Sequence, residues 1–179
     1  MHAETVPTLD LRELQHGMVG LSPEVGAEMA QAAAVCLEDQ EHEPGTTVLT
    51  VRGDLAARYA LDWTPVTEQM SRTWRDHAVA TEQGAYAVAI SVMRAAKGLA
   101  VTERSRRGTG FDFWLGLHDS LFVQNAARLE VSGIRRGDNA AVRRRLREKA
   151  GQLQQRTRVP KGYAVVVEFS RPLAHVEER

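Results

Sequence analysis

The apolar residues between Pro65 and Ser170 change their spacing along the chain, and this succession constrains the fold more than any other feature of the sequence. From Val66 onward they recur with the period of a helix. Three short runs with the two-residue period of strands follow, then a second helical stretch and a last, almost continuously apolar run. The predicted order is therefore helix, three strands, helix and strand, within one α/β unit.

Local signals predict the ends of these elements. Thr64-Pro65 marks a helix start and Gly98 a stop, and the helix between them is predicted either as one rod or as two pieces that meet near Ala80-Thr81. Asp138 or Asn139 is predicted to cap the second helix. The predicted strands are Leu99–Arg104, 111–115, ARLEVSGI (127–134) and YAVVVEFS (163–170).

The rest of the chain is predicted to add an N-terminal extension, residues 1–62, that packs on a core of residues 63–179. Ser22 can cap a helix that ends near His42, and TTVLTVRG alternates like a short strand. The tail from Pro172 is predicted to be frayed. The expected fold class is α/β with an N-terminal helical extension.

Neither a membrane segment nor an export signal is predicted. No window is long and uncharged enough to span a bilayer, and the N-terminus MHAETVPTLD lacks a basic region followed by an apolar one. The single cysteine, Cys36, excludes an internal disulfide and a multi-cysteine zinc site. We therefore expect a cytoplasmic protein without a membrane partner.

Charge is distributed unevenly, although the formal net charge is zero. Residues 1–80 hold 13 Asp and Glu against 5 Lys and Arg, whereas residues 81–179 hold 10 against 18. Three arginine clusters lie in the second half: Arg104, Arg106 and Arg107; Arg135 and Arg136; and Arg143, Arg144, Arg145 and Arg147. They predict either a phosphate-binding surface or a solvated face that also contacts the acidic first half. Complementary halves also suit a protein partner or self-association.

Three acids lie among apolar neighbours: Glu82 on the first helix, Asp112 in FDFWLG and Glu130 in ARLEVSGI. A charged group in such a place costs several kcal/mol unless it is paired or binds a cation. One interpretation is that each acid pairs with an arginine, Arg104 and Arg128 being the nearest in sequence. The other is that the acids share a cation.

The strand period favours a shared location. Asp112 alternates with Phe111 and Phe113, and is therefore expected to point to the opposite sheet face from both. Glu130 alternates with its neighbours in the same way. If the two strands are adjacent, both carboxylates reach one point, and such hard oxygen ligands suit Mg²⁺ or Mn²⁺.

The order of elements and the three acids resemble the PD-(D/E)XK nuclease superfamily over roughly residues 65–170. The resemblance implies that Glu82 is the helix acid, that Asp112 and Glu130 are metal ligands, and that the carbonyl of Val131 completes the shell. It also implies a metal ion that activates a water for attack on a phosphodiester. The segments GTGFDFWLG and ARLEVSGI are similar, in addition, to segments of bacterial proteins without an assigned function.

Ser132 departs from the family pattern, because the family has a lysine at this position, two residues after the second acid. A serine hydroxyl neither orients nor deprotonates the attacking water well at neutral pH. Either catalysis is lost or the cation has moved to the following helix, where Lys149 and Arg145 are candidates. Gln152 or Gln155 could position a water there, unless this helix is simply a solvent-facing surface.

Two hypotheses follow for function. The first is a nuclease-like domain that cuts nucleic acid with Mg²⁺ or Mn²⁺ in a bacterial restriction or defence setting. Its predicted nucleic-acid-binding residues are Arg104, Arg106, Arg107, Arg144 and Arg145. The second is a catalytically inactive descendant of that fold that serves as a subunit or adaptor in a larger assembly.

Overall fold

A computed structural model describes residues 6–118, 122–153, 159 and 161–179 of the 179-residue chain. Within these residues the strands are β1 (Thr8–Asp10), β2 (Val48–Gly53), β3 (Ala57–Asp62), β4 (Leu99–Arg104), β5 (Phe113–Leu117), β6 (Ala127–Ile134), β7 (Gly162–Glu168) and β8 (Leu173–Glu178). The α-helices are α1 (Pro23–Glu38), α2 (Glu68–Thr73), α3 (His77–Lys97) and α4 (Asn139–Gln152), and a 3-10 helix spans Leu11–His16.

All the described strands belong to one mixed sheet, in the order β1-β3-β2-β8-β7-β6-β5-β4. β4, β5 and β6 form an antiparallel meander, and β7 pairs with β6 in parallel after α4. The predicted succession of helix, three strands, helix and strand is therefore confirmed by α3, β4, β5, β6, α4 and β7. The expected α/β class is confirmed as well.

Helices cover both faces of β7, which explains its continuous apolar run. Val165 and Val167 pack into the larger core with α1 and α3, whereas Ala164 and Val166 pack into a smaller cluster with α4. Because successive side chains of a strand point to opposite faces, a strand covered on both sides must be apolar at every position. This part of the prediction is also confirmed.

The first predicted helix is two helices, and the predicted junction was wrong. α2 ends at Thr73, and α3 begins at His77 rather than near Ala80-Thr81. The side chain of Asp76 caps α3 by accepting hydrogen bonds from the N–H groups of Ala78 and Val79. A carboxylate cap at the true start outweighs the weaker signals of a threonine and a mid-helix glycine.

The C-terminal tail, predicted to be frayed, is a central strand. β8 lies between β7 and β2, pairing antiparallel with the first and parallel with the second. Ala174 and Val176 are completely buried. The prediction was wrong because a strand so short gains its stability from its partners and carries little signal of its own.

The first 62 residues contribute more than the predicted helix and short strand, because β1, β2 and β3 extend the same sheet through the β2–β8 pair. α1 packs against α3, where Gly84 lets the two backbones approach closely. Cys36 is buried in this core. Among the described residues, no helix has the length and apolarity needed to cross a membrane.

Candidate functional site

The site lies where the sheet opens between β5 and β6. The β5–β6 ladder reaches the Phe113–Leu129 pair, and the N–H of Asp112 donates to the carbonyl of Leu129 at 2.8 Å. One step further, the N–H of Val131 donates to the Oδ2 atom of Asp112 at 2.8 Å. The carboxylate thus takes the place of the next backbone acceptor, which fixes Asp112 at the end of the ladder.

Asp112 stands in a bend just before β5, which corrects its predicted orientation. β5 begins at Phe113 rather than at residue 111. Phe113 packs in the core on the α3 side of the sheet, whereas Phe111 packs in the cluster on the α4 side. Asp112 therefore cannot oppose both rings, because the two-residue period of a strand does not extend through the bend.

Tyr86 connects Asp112 to the helix acid. Its hydroxyl lies 3.0 Å from Oε1 of Glu82 and 3.1 Å from Oδ1 of Asp112. Glu82 is exposed on the surface of α3, so it bears no burial cost, contrary to the expectation from its apolar neighbours. Gly133 brings α3 close to β6, since a Cβ atom there would lie 2.4 Å from the carbonyl oxygen of Thr81.

Glu130 is the buried acid of the site and is paired with a lysine from α4. Glu130 is only 4% exposed, and the Nζ atom of Lys149 lies 2.5 Å from its Oε1 atom. The same Nζ atom lies 3.3 Å from Oε1 of Gln152. Burial, together with the nearby charge of Asp112, raises the pKa of Glu130 to about 7, and Lys149 opposes this shift.

Among the described contacts, Arg104 and Arg128, the arginines expected to neutralise these acids, are placed against other groups. The guanidinium of Arg104 lies over the rings of Tyr86 and Phe113, at 5.6 and 5.2 Å from their centroids. Arg128 donates from Nη1 to the carbonyl of Leu153 at 2.7 Å. The cation that meets the sheet acids comes instead from α4.

α4 places a second cation beside Ser132. The Nη1 atom of Arg145 donates to the Oγ atom of the buried Ser132 at 2.8 Å. Four residues of helix rise about 6 Å and two residues of strand about 6.6 Å. Because the two spacings are nearly equal, Arg145 can contact Ser132 while Lys149, one turn along α4, contacts Glu130.

Two pockets flank the acids. One, of about 560 Å³, is lined by Asp112, Glu130 and Gln152 together with Tyr86, Arg104 at the end of β4, and the β4–β5 turn that carries Arg106, Arg107, Gly108 and Gly110. The other, of about 470 Å³, is lined by Glu82, Val131, Ser132, Arg145 and Lys149 together with His77, Thr81 and Arg135. The structure therefore brings the predicted catalytic and metal-binding residues together, on both sides of the Glu130–Lys149 pair.

The arginine clusters differ in their partners. Arg135 pairs with Asp39 and Arg136 donates to Gln40 at 3.0 Å, both at the end of α1, so this cluster contacts the acidic first half as one interpretation predicts. By contrast, no acid of the described chain pairs with Arg106, Arg107, Arg143, Arg144 or Arg147, and all five are exposed. The β4–β5 turn thus presents uncompensated positive charge at the first pocket, and α4 presents it on its exposed surface.

The oxygen atoms at the site fit a hard divalent cation. An ionised carboxylate has about four lone-pair positions, and each oxygen of Asp112 uses one of its two for Tyr86 or Val131. The N–H and carbonyl of a strand residue point to the same side, so the Val131 carbonyl also faces the Asp112 side. In the described part of the chain, no three His, Cys, Asp or Glu residues are grouped to hold a metal. A cation here would therefore take two carboxylates and a carbonyl, with water in its other positions, as Mg²⁺ commonly does.

Tyr86 in the site and Glu168 behind the start of α4 were not predicted. Tyr86 could have been found, because it lies four residues after Glu82 and therefore on the same side of a helix. Glu168 is completely buried and accepts hydrogen bonds from the N–H groups of Ser170 at 2.9 Å and of Gly137, just ahead of α4, at 3.2 Å. Its signal, an acid in an apolar strand, is the same as that of Glu130. Gln155 lies outside the described residues.

Comparison with models of protein families found none that matches the chain. Searches of curated proteins and of solved structures also found no significant match.

Proposed function

We propose that the protein is a divalent-metal-dependent nuclease-like domain with a PD-(D/E)XK-like α-β-β-β-α-β core, which hydrolyses phosphodiester bonds in nucleic acid. The observation that carries the proposal is the position of Lys149. Its ammonium lies 2.5 Å from Glu130, which together with Asp112 lines a pocket bordered by arginines that no described acid neutralises. Two acids and a lysine are the groups that this chemistry needs, and here the lysine comes from α4.

The roles follow from the contacts. Asp112, Glu130 and the Val131 carbonyl would hold Mg²⁺ or Mn²⁺, which when bound supplies Lewis acidity and an activated water. Lys149 would donate hydrogen bonds to the attacking water or to a phosphate oxygen, with Gln152 holding the ammonium from its other side. The flanking phosphates would be bound by Arg104 at the end of β4, by Arg106 and Arg107 on the turn, and by Arg144 and Arg145 on α4.

Lys149 can replace the missing family lysine because of where α4 lies. A lysine at position 132 would project from β6 toward α4, and Ser132 leaves that space to the guanidinium of Arg145. Lys149 then reaches the acid one turn further along the same helix face. In this proposal, the site keeps a cation, which comes from a different position in the sequence.

The test is cleavage of single- and double-stranded DNA and RNA with Mg²⁺ or Mn²⁺. We expect divalent-dependent cleavage that Asp112→Asn reduces by about a thousandfold or more, since a catalytic metal contributes several kcal/mol and each 1.36 kcal/mol is tenfold in rate. Lys149→Met should reduce the rate constant while leaving nucleic-acid binding nearly intact.

The control is Lys161→Met, which removes the lysine of the exposed Lys161–Glu178 pair, away from the pockets. It should cut like the unmodified protein. If the purified protein cuts none of the four substrates with either metal, the nuclease proposal is wrong.

A second function, an inactive adaptor, is favoured by one observation. The Glu130–Lys149 pair and the Tyr86 and Val131 hydrogen bonds already satisfy much of the acid cluster without a metal. In that case the exposed arginines would bind an acidic protein surface. Sedimentation at low and high salt distinguishes the two functions, because the adaptor should form a complex or self-associate and release its partner as salt rises.

A further inference from the structure

The Tyr86 hydroxyl holds one proton between two carboxylates. It lies 3.0 Å from Glu82 and 3.1 Å from Asp112, and a phenol has a single O–H to donate. The hydroxyl therefore links the acid of α3 to the acid at the end of the β5–β6 ladder. Among the described residues, the Tyr86 hydroxyl is the contact through which α3 reaches the Asp112 carboxylate.

The ring that carries this hydroxyl is firmly placed. Tyr86 is 6% exposed, and its ring packs edge-on against Phe113 with centroids 5.0 Å apart. Arg104 covers it from the turn side. Because packing fixes the ring, removal of the hydroxyl should leave the ring in place and delete only the hydrogen bonds.

Asp112 depends on such support because it precedes β5 and stands in a bend. Its Oδ2 atom is held from β6 by the N–H of Val131, and its Oδ1 atom from α3 by Tyr86. The two donors approach from different elements, so together they set the plane of the carboxylate. With either donor absent, the carboxylate could rotate about its remaining hydrogen bond.

We propose that Tyr86 is a positioning residue that orients Asp112 for a divalent cation, and that Glu82 acts on this cation only through Tyr86. The inference rests on the proposed function, in which Asp112 is a metal ligand. It assigns Glu82 a different role from the direct site acid that the family resemblance implies. Outer-shell partners of this kind commonly contribute a factor of about 10 to 100 in metal affinity or activity.

The experiment measures Mg²⁺ binding by isothermal titration calorimetry in the absence of nucleic acid. We expect Tyr86→Phe to weaken Mg²⁺ binding by about 10- to 100-fold. The matched control is Tyr59→Phe, which removes a hydroxyl from a similarly buried ring on β3 and should bind Mg²⁺ normally. Circular dichroism should show both variants folded.

A double variant tests the route of the coupling. If Glu82 reaches the cation through Tyr86, then Glu82→Ala combined with Tyr86→Phe should bind Mg²⁺ as Tyr86→Phe alone does. A further loss of affinity in the double variant would show that Glu82 acts directly and would overturn this part of the inference. Normal Mg²⁺ binding by folded Tyr86→Phe would overturn the rest.

Asp112→Asn separates this inference from the proposed function. If Asp112→Asn loses Mg²⁺ binding while Tyr86→Phe keeps it, the positioning role is wrong and the metal site stands. If Asp112→Asn also binds Mg²⁺ normally, the metal site itself is wrong. In steady-state cleavage, Tyr86→Phe should raise the Mg²⁺ concentration needed for half-maximal activity by the same factor by which it lowers Mg²⁺ affinity, and leave the KM for nucleic acid unchanged at saturating metal.

Discussion

At the scale of single residues, Glu130 carries the least favourable charge at the site. It is buried, it lies near Asp112, and one ammonium, that of Lys149, is within hydrogen-bonding distance. A divalent cation would offset the repulsion between the two carboxylates, whereas without metal the raised pKa of Glu130 favours its protonated form below about pH 7. Protonation and metal binding are therefore expected to compete at Glu130.

This competition predicts how stability varies with pH in metal-free protein. The pKa of Glu130 rises from 4.5 to about 7 on folding. The stabilisation by this group is thus complete below pH 4.5 and is lost as pH rises through about 7, because the unfolded chain ionises first. We expect the free energy of unfolding in urea to fall between about pH 5 and pH 8, and the fall to be smaller in Glu130→Gln.

Glu28→Gln, which changes an exposed acid of α1, should keep the full pH dependence of the unmodified protein. Adding Mg²⁺ should raise stability most at the upper end of this range, where Glu130 is ionised. An unchanged pH profile in Glu130→Gln would contradict the assignment of the shifted pKa to this residue.

At the scale of elements, the helices position the site by close approach to their neighbours. α3 carries Glu82 and Tyr86 and packs on α1 at Gly84. α4 carries Lys149 and Arg145, and the buried Glu168 at the end of β7 accepts hydrogen bonds from the loop in front of it. Small residues and satisfied buried acids therefore determine where the functional side chains meet.

Gly84 provides a test of the α1–α3 contact. A Cβ atom at position 84 would lie 2.9 Å from the Cα of Ala33, in the backbone of α1, so the helices would have to separate. We expect Gly84→Ala to lower the free energy of unfolding by about 1–3 kcal/mol, despite the better helix propensity of alanine. Urea unfolding measures the change.

The matched control is Gly151→Ala in α4, where no described atom lies within 4 Å of the added Cβ. There the propensity gain should be realised, and stability should rise by about 0.5–1 kcal/mol. Equal effects at the two positions would show that α1 and α3 do not pack this closely.

At the scale of the whole molecule, one sheet joins the two oppositely charged parts of the chain. β8 connects β2, from the acidic first half, to β7, from the basic second half. The Arg135–Asp39 pair adds a contact between the same halves. The core that holds the site is therefore continuous with the N-terminal strands, and β8 is the strand on which this continuity depends.

Neighbouring residues of β8 test this arrangement. Val176 is completely buried and His175 is partly exposed, because they point to opposite faces of the sheet. Val176→Asp should destabilise the protein by several kcal/mol and abolish cooperative unfolding, whereas His175→Asp should leave it folded. Thermal unfolding followed by circular dichroism distinguishes this strand from a frayed tail, which would tolerate both changes.

The sequence by itself determined the order of elements from α3 to β7, including the bounds of β4 and β6. It could do so because hydrophobic period, caps and breakers act within a few residues of each other. It also singled out Glu130, since an acid within an apolar strand must be paired wherever that strand lies. Such signals fail where two of them compete. At Asp112 the alternation of residues 111–113 hides a bend, and the possible cap at Thr81 competes with the true cap at Asp76.

Only the tertiary structure decided which residues meet. The segment from Leu173 forms a strand because it pairs with β2 and β7. A short segment carries little sequence signal for pairing with strands that are distant in the chain. The sequence offers several candidate cations on α4, and the packing of α4 against β6 determines that Lys149 is the one that contacts Glu130. Tyr86 reaches Asp112 across 26 positions of the chain. Such contacts depend on the register and packing of whole elements, which local patterns do not specify.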